Sequence, residues 1–306
     1  MASILAGAAC TSLNPAYETS GETTEAGPDS GETVGGGTTT GEATLASTRG
    51  EVTDGPDSDV TTEPSESSSS GEPPPAIDLC PFDVYAINEL GELHGLDPDT
   101  GDLVLLLQDP RLESWAIATD PMTGLVYVNE LASPTTMWRV DPFVAEIDAE
   151  PVVIEADGLA EEVARATFRG DELWIGTEQT HRFVWLPATG GSVGGDHTLQ
   201  PFSRGGDMVF LETACAVVPT LDGLLYLACF PDSGLPPPVI PMAALLGAQY
   251  NGIAVDAEGR VWLSNASPMT QLVQLDVSTE PWVLGPPVDF AMTINDLATV
   301  VHPPEC

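Results

Sequence analysis

The chain has 306 residues and a formal net charge of −39 at pH 7, because 47 acidic residues face eight Arg and no Lys. A field this negative excludes binding to DNA, RNA or anionic lipid head groups through the domain surface, since phosphate contacts need clustered cations. The high content of acidic residues is compatible with three explanations: a role in solubility, an adaptation to high salt or a weak affinity for divalent cations.

The chain begins with a short apolar segment, MASILAGAAC, that ends at Cys10 after small residues. The segment resembles the end of a bacterial lipoprotein signal, in which the Cys becomes the acylated first residue of the mature protein. It differs from such signals in having Gly7 three residues before the Cys and no basic region, so the true start could instead lie upstream. We expect residues 1–10 to be a signal remnant with Cys10 as the lipidated residue.

Residues 11–75 are rich in Thr, Ser, Gly, Glu and Pro and contain 13 of the acidic residues. Such a segment cannot bury enough apolar surface to offset the entropy of ordering its backbone, which is roughly 1 to 2 kcal/mol per residue. The sequence therefore predicts a disordered acidic linker, followed by a folded domain over residues 76–306. No segment has 18 consecutive apolar residues, so we expect membrane contact only through the lipid anchor.

Four of the five Cys lie in the predicted domain, an even number that permits two disulfides and three ways of pairing them. Cys215 and Cys229 flank the turn TLDG symmetrically, so in a hairpin they would face each other within disulfide distance. Cys80 and Cys306 then remain at the two ends of the domain. Two disulfides favour an oxidising compartment and hence an exported protein.

The domain is dominated by a repeated pattern that is clearest in NGIAVDAEGRVWLSN, residues 251–265. Apolar and polar residues alternate on both sides of a Gly-containing turn, which predicts a β-hairpin. Weaker copies begin at Ala116, Ala164 and Cys215. Each copy has an Ala on its first strand and an aromatic residue on its second, in the pairs Ala118 and Tyr127, Ala166 and Trp174, Ala216 and Tyr226, and Ala254 and Trp262.

Two further strands follow each hairpin, so the repeat has four strands and predicts an all-β fold of propeller blades. The two ends of the predicted domain together supply one more hairpin. The segment from Asn295 to Cys306 supplies a first strand, and the segment from Cys80 to Leu90 supplies the second strand that it lacks. The sequence thus predicts a five-bladed β-propeller closed by its N- and C-terminal strands, or six blades if residues 190–206 contain a degenerate one.

Over residues 80–306 these motifs resemble the NHL and gluconolactonase-like propeller group. The domain behind its Thr/Gly/Glu-rich tether also resembles bacterial lipoproteins. Gluconolactonase-like proteins bind a divalent metal in the central channel, and the resemblance implies that Asn251 lies at the place of an Asn ligand. Asn295 falls where that family has Asp, with Asp296 adjacent, whereas Glu113 is out of register with the family's Glu ligand.

The residues just before each first strand are expected to converge at one mouth of the channel as a candidate ligand or metal site, or to be solvated loop residues. Oxygen-rich side chains suit a hard cation, and Ca²⁺ is the candidate ion, although no cofactor is required. The candidates are Glu113, Trp115, Glu162, Glu212, Asn251, Asn295 and Asp296.

Two functions are compatible with this sequence. The first is an exported, lipid-anchored surface propeller that acts as a non-catalytic, monomeric module binding a protein or a glycan, or serving as a scaffold. Its location would be the outer membrane or cell surface, or otherwise the periplasm or the extracellular space. The alternative is a divalent-metal-dependent, lactonase-like hydrolase with its site at the channel mouth.

Overall fold

The computed structural model describes residues 77–156, 163–178, 182–198, 206–211, 214–220, 223–230, 239–244, 249–266, 268–279, 281–302 and 306. The chain divides into two units, residues 1–67 and 68–306, and all the described residues belong to the second unit. The predicted signal remnant with Cys10 lies outside the described residues, as does the predicted linker. The described part contains one short 3-10 helix, Pro110–Leu112, and no helix long and apolar enough to cross a bilayer.

The remaining elements are antiparallel strands grouped into five sheets around a common axis, which is the predicted five-bladed propeller. From the axis outward, blade 1 consists of Asp296–Thr299, Val84–Ile87, Glu92–Leu96 and Leu103–Gln108. Blade 2 consists of Ile117–Thr119, Val126–Glu130, Ser133–Asp141 and Val152–Glu155. Blade 3 consists of Val163–Arg169, Glu172–Thr177, Arg182–Pro187 and Gly195–Thr198.

Blade 4 consists of Val209–Phe210, Cys215–Pro219, Leu224–Cys229 and Val239–Ala244, and blade 5 of Tyr250–Val255, Val261–Asn265, Gln271–Asp276 and Val283–Asp289. Two minor strands extend blade 2. Glu146–Ile147 pairs with its third strand, and Gly191–Ser192 pairs in parallel with its fourth. Within the described residues, the region 190–206 therefore extends blades 2 and 3 and forms no sixth blade.

The ring closes as the sequence predicts. The inner strand of blade 1, Asp296–Thr299, comes from the C-terminus and pairs antiparallel with Val84–Ile87 from the start of the domain, with Ala298 opposite Tyr85. A disulfide joins Cys80 to Cys306 beside this pairing. The second predicted disulfide is also present, and Cys215 and Cys229 are direct partners in the hairpin register.

Blade 4 departs from the sequence prediction at its inner strand. The Cys215–Pro219 strand, which carries Ala216, was expected to line the axis, but the two-residue strand Val209–Phe210 lies inside it. That inner strand is too short to show alternation and has no Ala, so the repeat pattern does not reveal it. The proline-containing strand Val239–Ala244 lies at the outer edge of the blade, where the sequence predicts an edge or a loop.

The hydrophobic core consists of five clusters, and each lies between two neighbouring blades. The repeated aromatic residues Tyr127, Trp174 and Trp262 are all buried in these clusters, as expected for core residues. In blades 2 and 5 the aromatic residue pairs directly with the repeated Ala of the inner strand. This alternation fits the geometry, because blades converge at the axis, where only small side chains fit, and diverge outward, where large ones fill the gap.

Candidate functional site

Polar side chains collect where the inner strands begin, and we call this group the polar collar. Its members are Arg165 of blade 3, Asp207 at the start of blade 4, Asn251 of blade 5, and Asn295 and Asp296 of blade 1. All five side chains are buried. Buried polar groups need hydrogen-bond partners, so the contacts of the collar indicate what these residues do.

The two asparagines connect successive blades. Asn251 Nδ2 donates to the carbonyl of Ile294 at 3.0 Å, and its Oδ1 accepts from Ser264 at 3.0 Å. Asn295 Nδ2 donates to the carbonyl of Ser114 at 3.2 Å, which links blade 1 to the segment entering blade 2. Asn295 Oδ1 has no hydrogen-bond donor within the described residues.

The neighbouring glycine explains how closely blades 5 and 1 approach each other. A Cβ placed on Gly252 would lie 2.8 Å from the backbone nitrogen of Leu297 and 2.9 Å from the Cα of Asp296. These contacts are with backbone atoms, which cannot move aside as a flexible side chain could. The Asn-Gly pair at the start of blade 5 therefore both bonds to blade 1 and gives it room.

Two aspartates meet across the axis. Asp296 Oδ2 accepts from the backbone N–H of Ile117 at 2.7 Å, and Asp207 Oδ1 accepts from that of Ala166 at 2.8 Å. The other oxygen of each carboxyl group, Asp207 Oδ2 and Asp296 Oδ1, has no hydrogen-bond partner within the described residues. Two buried carboxyl groups that repel each other when charged disfavour double ionisation, so the pair retains a proton to a higher pH than free carboxyl groups do. Asp296 thus connects blade 1 to blade 2, and Asp207 connects blade 4 to blade 3.

Burial shifts the pKa values of the charged side chains in the polar collar. Desolvation raises the pKa of both Asp207 and Asp296 well above the usual carboxyl range, and the charge of Asp207 raises that of Asp296 further. Burial lowers the pKa of Arg165 to about 10, while Asp207 and Glu178 act in the opposite direction, so its guanidinium stays charged at neutral pH. Arg165 Nη1 donates to the carbonyl of Thr177 at 2.7 Å. The collar thus contains one cation beside two buried carboxyl groups whose raised pKa values resist full ionisation.

The structure brings together three of the seven candidate residues named from the sequence, namely Asn251, Asn295 and Asp296. The Glu113 side chain is exposed where the 3-10 helix ends, and Trp115 is half-buried. Glu162 and Glu212 lie outside the described residues.

Asp207 and Arg165 were missed from the sequence. Asp207 precedes the inner strand of blade 4 by two residues, and Asp296 stands two residues before Ala298 in blade 1. The repeat pattern places the inner strand of blade 4 at Ala216, so the equivalent positions of Asp207 and Asp296 were not recognised. Arg165 lies inside an apolar strand next to Ala166, where an unmatched Arg in an otherwise apolar run was the available signal for a buried charge.

A second acidic group lies where the turn between the first two strands of blade 5 meets the start of the strand Val84–Ile87 in blade 1. Within the described residues, Asp83, Asp256 and Glu258 are the carboxylates grouped closely enough to hold a metal. Arg260 is already bound among them, with Nε 2.6 Å from Asp256 and Nη1 2.8 Å from Asp99. This guanidinium supplies the positive charge that the carboxylates need and ties blade 5 to blade 1.

No family model and no curated protein sequence match this chain. Among solved structures, a gluconolactonase from Xanthomonas campestris is 14% identical, with a TM-score of 0.50 over 72% of this chain and 81% of that chain. A nidogen/laminin complex matches at 13% identity and a TM-score of 0.49, covering 70% of this chain and 80% of that one. BamB from Moraxella catarrhalis matches at 14% identity and a TM-score of 0.38, over 68% of this chain and 58% of its own.

At these identities the similarity concerns the fold. The five-blade arrangement and the gluconolactonase match confirm the resemblance to the gluconolactonase-like propeller group at that level.

Proposed function

We propose that this chain is an exported surface propeller, anchored through a lipid on Cys10, that acts as a non-catalytic module for binding a protein or a glycan or as a scaffold. The polar collar carries this proposal. Asn251, Asn295 and Asp296 direct amide or carboxylate groups to main-chain atoms of neighbouring strands and blades. Groups used in this way rigidify a scaffold, whereas a catalytic site keeps its polar atoms directed at a substrate.

The disulfides support the exported location. Both bonds connect elements that are already paired in the sheet, one across the ring closure and one across the blade 4 hairpin. Disulfides persist in oxidising environments such as the periplasm and the cell exterior. The net charge of −39 also suits a soluble domain that stays monomeric and does not adhere to anionic surfaces.

Anchoring through Cys10 leads to a direct prediction for the full chain in bacterial cells. The wild-type protein should incorporate labelled palmitate and fractionate with the membranes, whereas Cys10→Ser should be unlabelled and soluble, because the acyl chains supply the membrane affinity. Ser12→Ala is the matched control and should behave as the wild type does. An unlabelled wild-type protein, or label that persists in Cys10→Ser, contradicts this part of the proposal.

One observation favours the alternative, a metal-dependent lactonase-like hydrolase. Among the residues that the structure describes, Asn295 Oδ1 is a buried acceptor without a donor, and it lies in the collar together with Asn251, which stands at the place of an Asn ligand in the group that the sequence resembles. Oxygen atoms of this kind suit Ca²⁺ or another hard divalent ion. If such an ion binds, the collar would supply Asn251, Asn295 and Asp296.

Thermal unfolding separates the two functions, because an ion that binds the folded state must raise the unfolding midpoint. We expect the metal-stripped, oxidised chain to show the same midpoint with and without millimolar Ca²⁺, Mg²⁺ or Zn²⁺, and no hydrolysis of gluconolactone above the buffer rate. A rise of several degrees that is lost in Asn295→Ala but kept in Glu258→Gln would establish the alternative. The Glu258 variant controls for ions held by the Arg260 cluster.

A further inference from the structure

The outermost strand of each blade ends its sheet, and native proteins protect such edges with prolines, charges, short strands or a covering segment. In this chain, Gly191–Ser192 covers part of the outer strand of blade 2, and the outer strand of blade 3 has only 4 residues, of which one is Asp196. Prolines interrupt the outer strands of the next two blades, at Pro241 in blade 4 and at Pro286 and Pro287 in blade 5. The outer edges of blades 2 to 5 are therefore protected.

The outer strand of blade 1, Leu103–Gln108, has none of these features. Its sequence is LVLLLQ, without proline, glycine or charge, and within the part of the chain that the structure describes no segment pairs with its outer side. Val104 and Leu105 are 44% and 50% exposed. They lie opposite Gly95 and His94 in regular pairing, so as successive residues they point to opposite faces of the blade. Both faces of this edge are therefore apolar.

The inner contacts of this strand hold it in place as a template. Leu106 is buried, and Leu103 and Leu107 pack against the hydrophobic clusters on the two sides of blade 1. The register with the neighbouring strand shifts once, at Leu106, and such a bulge bends a strand locally. The regular stretch Leu103–Leu105 is therefore where another strand would align best.

The backbone and the charges of this edge define the class of occupant. Unpaired N–H and C=O groups along an edge strand are satisfied by another extended backbone, which is how peptides add to exposed sheet edges. Asp102 is exposed at one end of the strand, and Glu92 lies opposite Gln108 at the other. Together with the net charge of −39, these carboxylates favour a segment with cationic ends and disfavour a second copy of this acidic chain.

We propose that the outer edge of blade 1 binds an extended segment of a partner protein, with apolar residues at its centre and Lys or Arg at its ends, as an additional strand. The segment would form backbone hydrogen bonds with Leu103–Gln108 and cover Val104 and Leu105. This proposal rests on the function proposed above, because it gives the binding module a surface and a class of partner.

Three fluorescently labelled peptides test this with the full, oxidised chain: the basic peptide KTVIVTK, the proline peptide KTVPVTK and the acidic peptide ETVIVTE. Fluorescence anisotropy should show saturable binding of the basic peptide at one site, and its binding should slow hydrogen exchange in Leu103–Gln108. The proline peptide should not bind, because proline lacks the central N–H and is excluded from strand interiors. The acidic peptide should bind at least about tenfold more weakly at low salt, because the chain repels it.

The proposal is overturned if the basic peptide shows no saturable binding at millimolar concentration, if the proline peptide binds as tightly, or if exchange in Leu103–Gln108 is unchanged. A chain that fails these tests, but whose unfolding midpoint does not respond to metal ions, loses only this surface and keeps the binding function. A dimer in sedimentation that Leu105→Lys dissociates would instead make a second copy of the chain the occupant, which also overturns the proposal.

Two lysine substitutions locate the site. Leu105→Lys should weaken the basic peptide about tenfold, because it removes an apolar contact and adds a like charge. Val283→Lys is the matched control, since Val283 is 53% exposed on the proline-interrupted outer strand of blade 5, and it should leave the affinity unchanged. Both variants should keep the wild-type unfolding midpoint, because both positions are exposed. Unchanged affinity in Leu105→Lys, or an equal loss in Val283→Lys, would show that the peptide does not bind at this edge.

Discussion

Replacing Cys80 and Cys306 with Ser should lower the free energy of unfolding by about 5 kcal/mol, because the disulfide closes a loop that spans 226 residues. The loss arises from the greater entropy of the unfolded chain once the cross-link is removed. It should be accompanied by faster amide exchange in Asp296–Thr299, since this inner strand is then held to blade 1 by hydrogen bonds alone. Urea unfolding followed by tryptophan fluorescence gives the free energy.

The second disulfide is the matched control. Cys215 and Cys229 are separated by 14 residues, and the same relation gives about 3 kcal/mol for their replacement with Ser. The strand Asp296–Thr299 should keep its protection from exchange in that variant. An equal or smaller loss for the Cys80 and Cys306 pair would mean that closure of the ring does not depend on the cross-link.

The aspartate pair should make stability fall as pH rises. Burial raises the pKa of Asp207 and Asp296 in the folded protein above the unfolded value, so their contribution is complete at low pH and is lost as pH rises through the folded pKa. Arg165 is the charged group that faces the pair, and it remains protonated over this range. Between the unfolded carboxyl pKa and the raised folded pKa, the free energy of unfolding should decrease by up to about 1.4 kcal/mol per pH unit for each proton that the folded protein retains and the unfolded chain has lost, and above the folded pKa it should level off.

Asp207→Asn should flatten this dependence, because it removes one titrating carboxyl group and the charge that raises the pKa of Asp296, and it leaves one carboxylate to balance Arg165. Asp207→Ala should lose about 3 to 5 kcal/mol, since it leaves a buried charge without its partner. Glu113→Gln, at an exposed carboxyl, should retain the wild-type slope. Urea unfolding at a series of pH values from 5 to 9 measures these slopes. A slope in Asp207→Asn equal to that of the wild type would show that the two buried carboxyl groups do not cause the pH dependence.

The local sequence pattern was sufficient to predict much of the fold. The hairpin over residues 251–265 is formed as predicted, because its alternation and turn act over a few residues, with Ala254 opposite Trp262. The same holds for Cys215 and Cys229, whose pairing follows from their symmetry about a turn. Closure by the chain ends was predictable because each end carries half of a recognisable repeat.

The collar depended on contacts that no local pattern encodes. Asp207 could be placed at the axis only if the two-residue strand after it were recognised as the inner strand, and so short a strand has no periodicity. Trp174 shows the limit of the repeat as well, since it pairs with Thr167 rather than with Ala166. The Trp174 ring still faces the next blade, as Tyr127 and Trp262 do, so the shift by one residue instead turns Ala166 towards blade 2.

Closing the ring with the last strand also determines when this protein can fold. Val84–Ile87 is made early, but its partner Asp296–Thr299 leaves the ribosome about 200 residues later. At typical synthesis rates this interval is roughly 10 to 40 s. Blade 1 then has an unpaired edge towards the axis, which is open to other chains. A propeller sealed in this way completes its native state only after its closing strand has been made, and until then the chain is still in a form that could be threaded across a membrane.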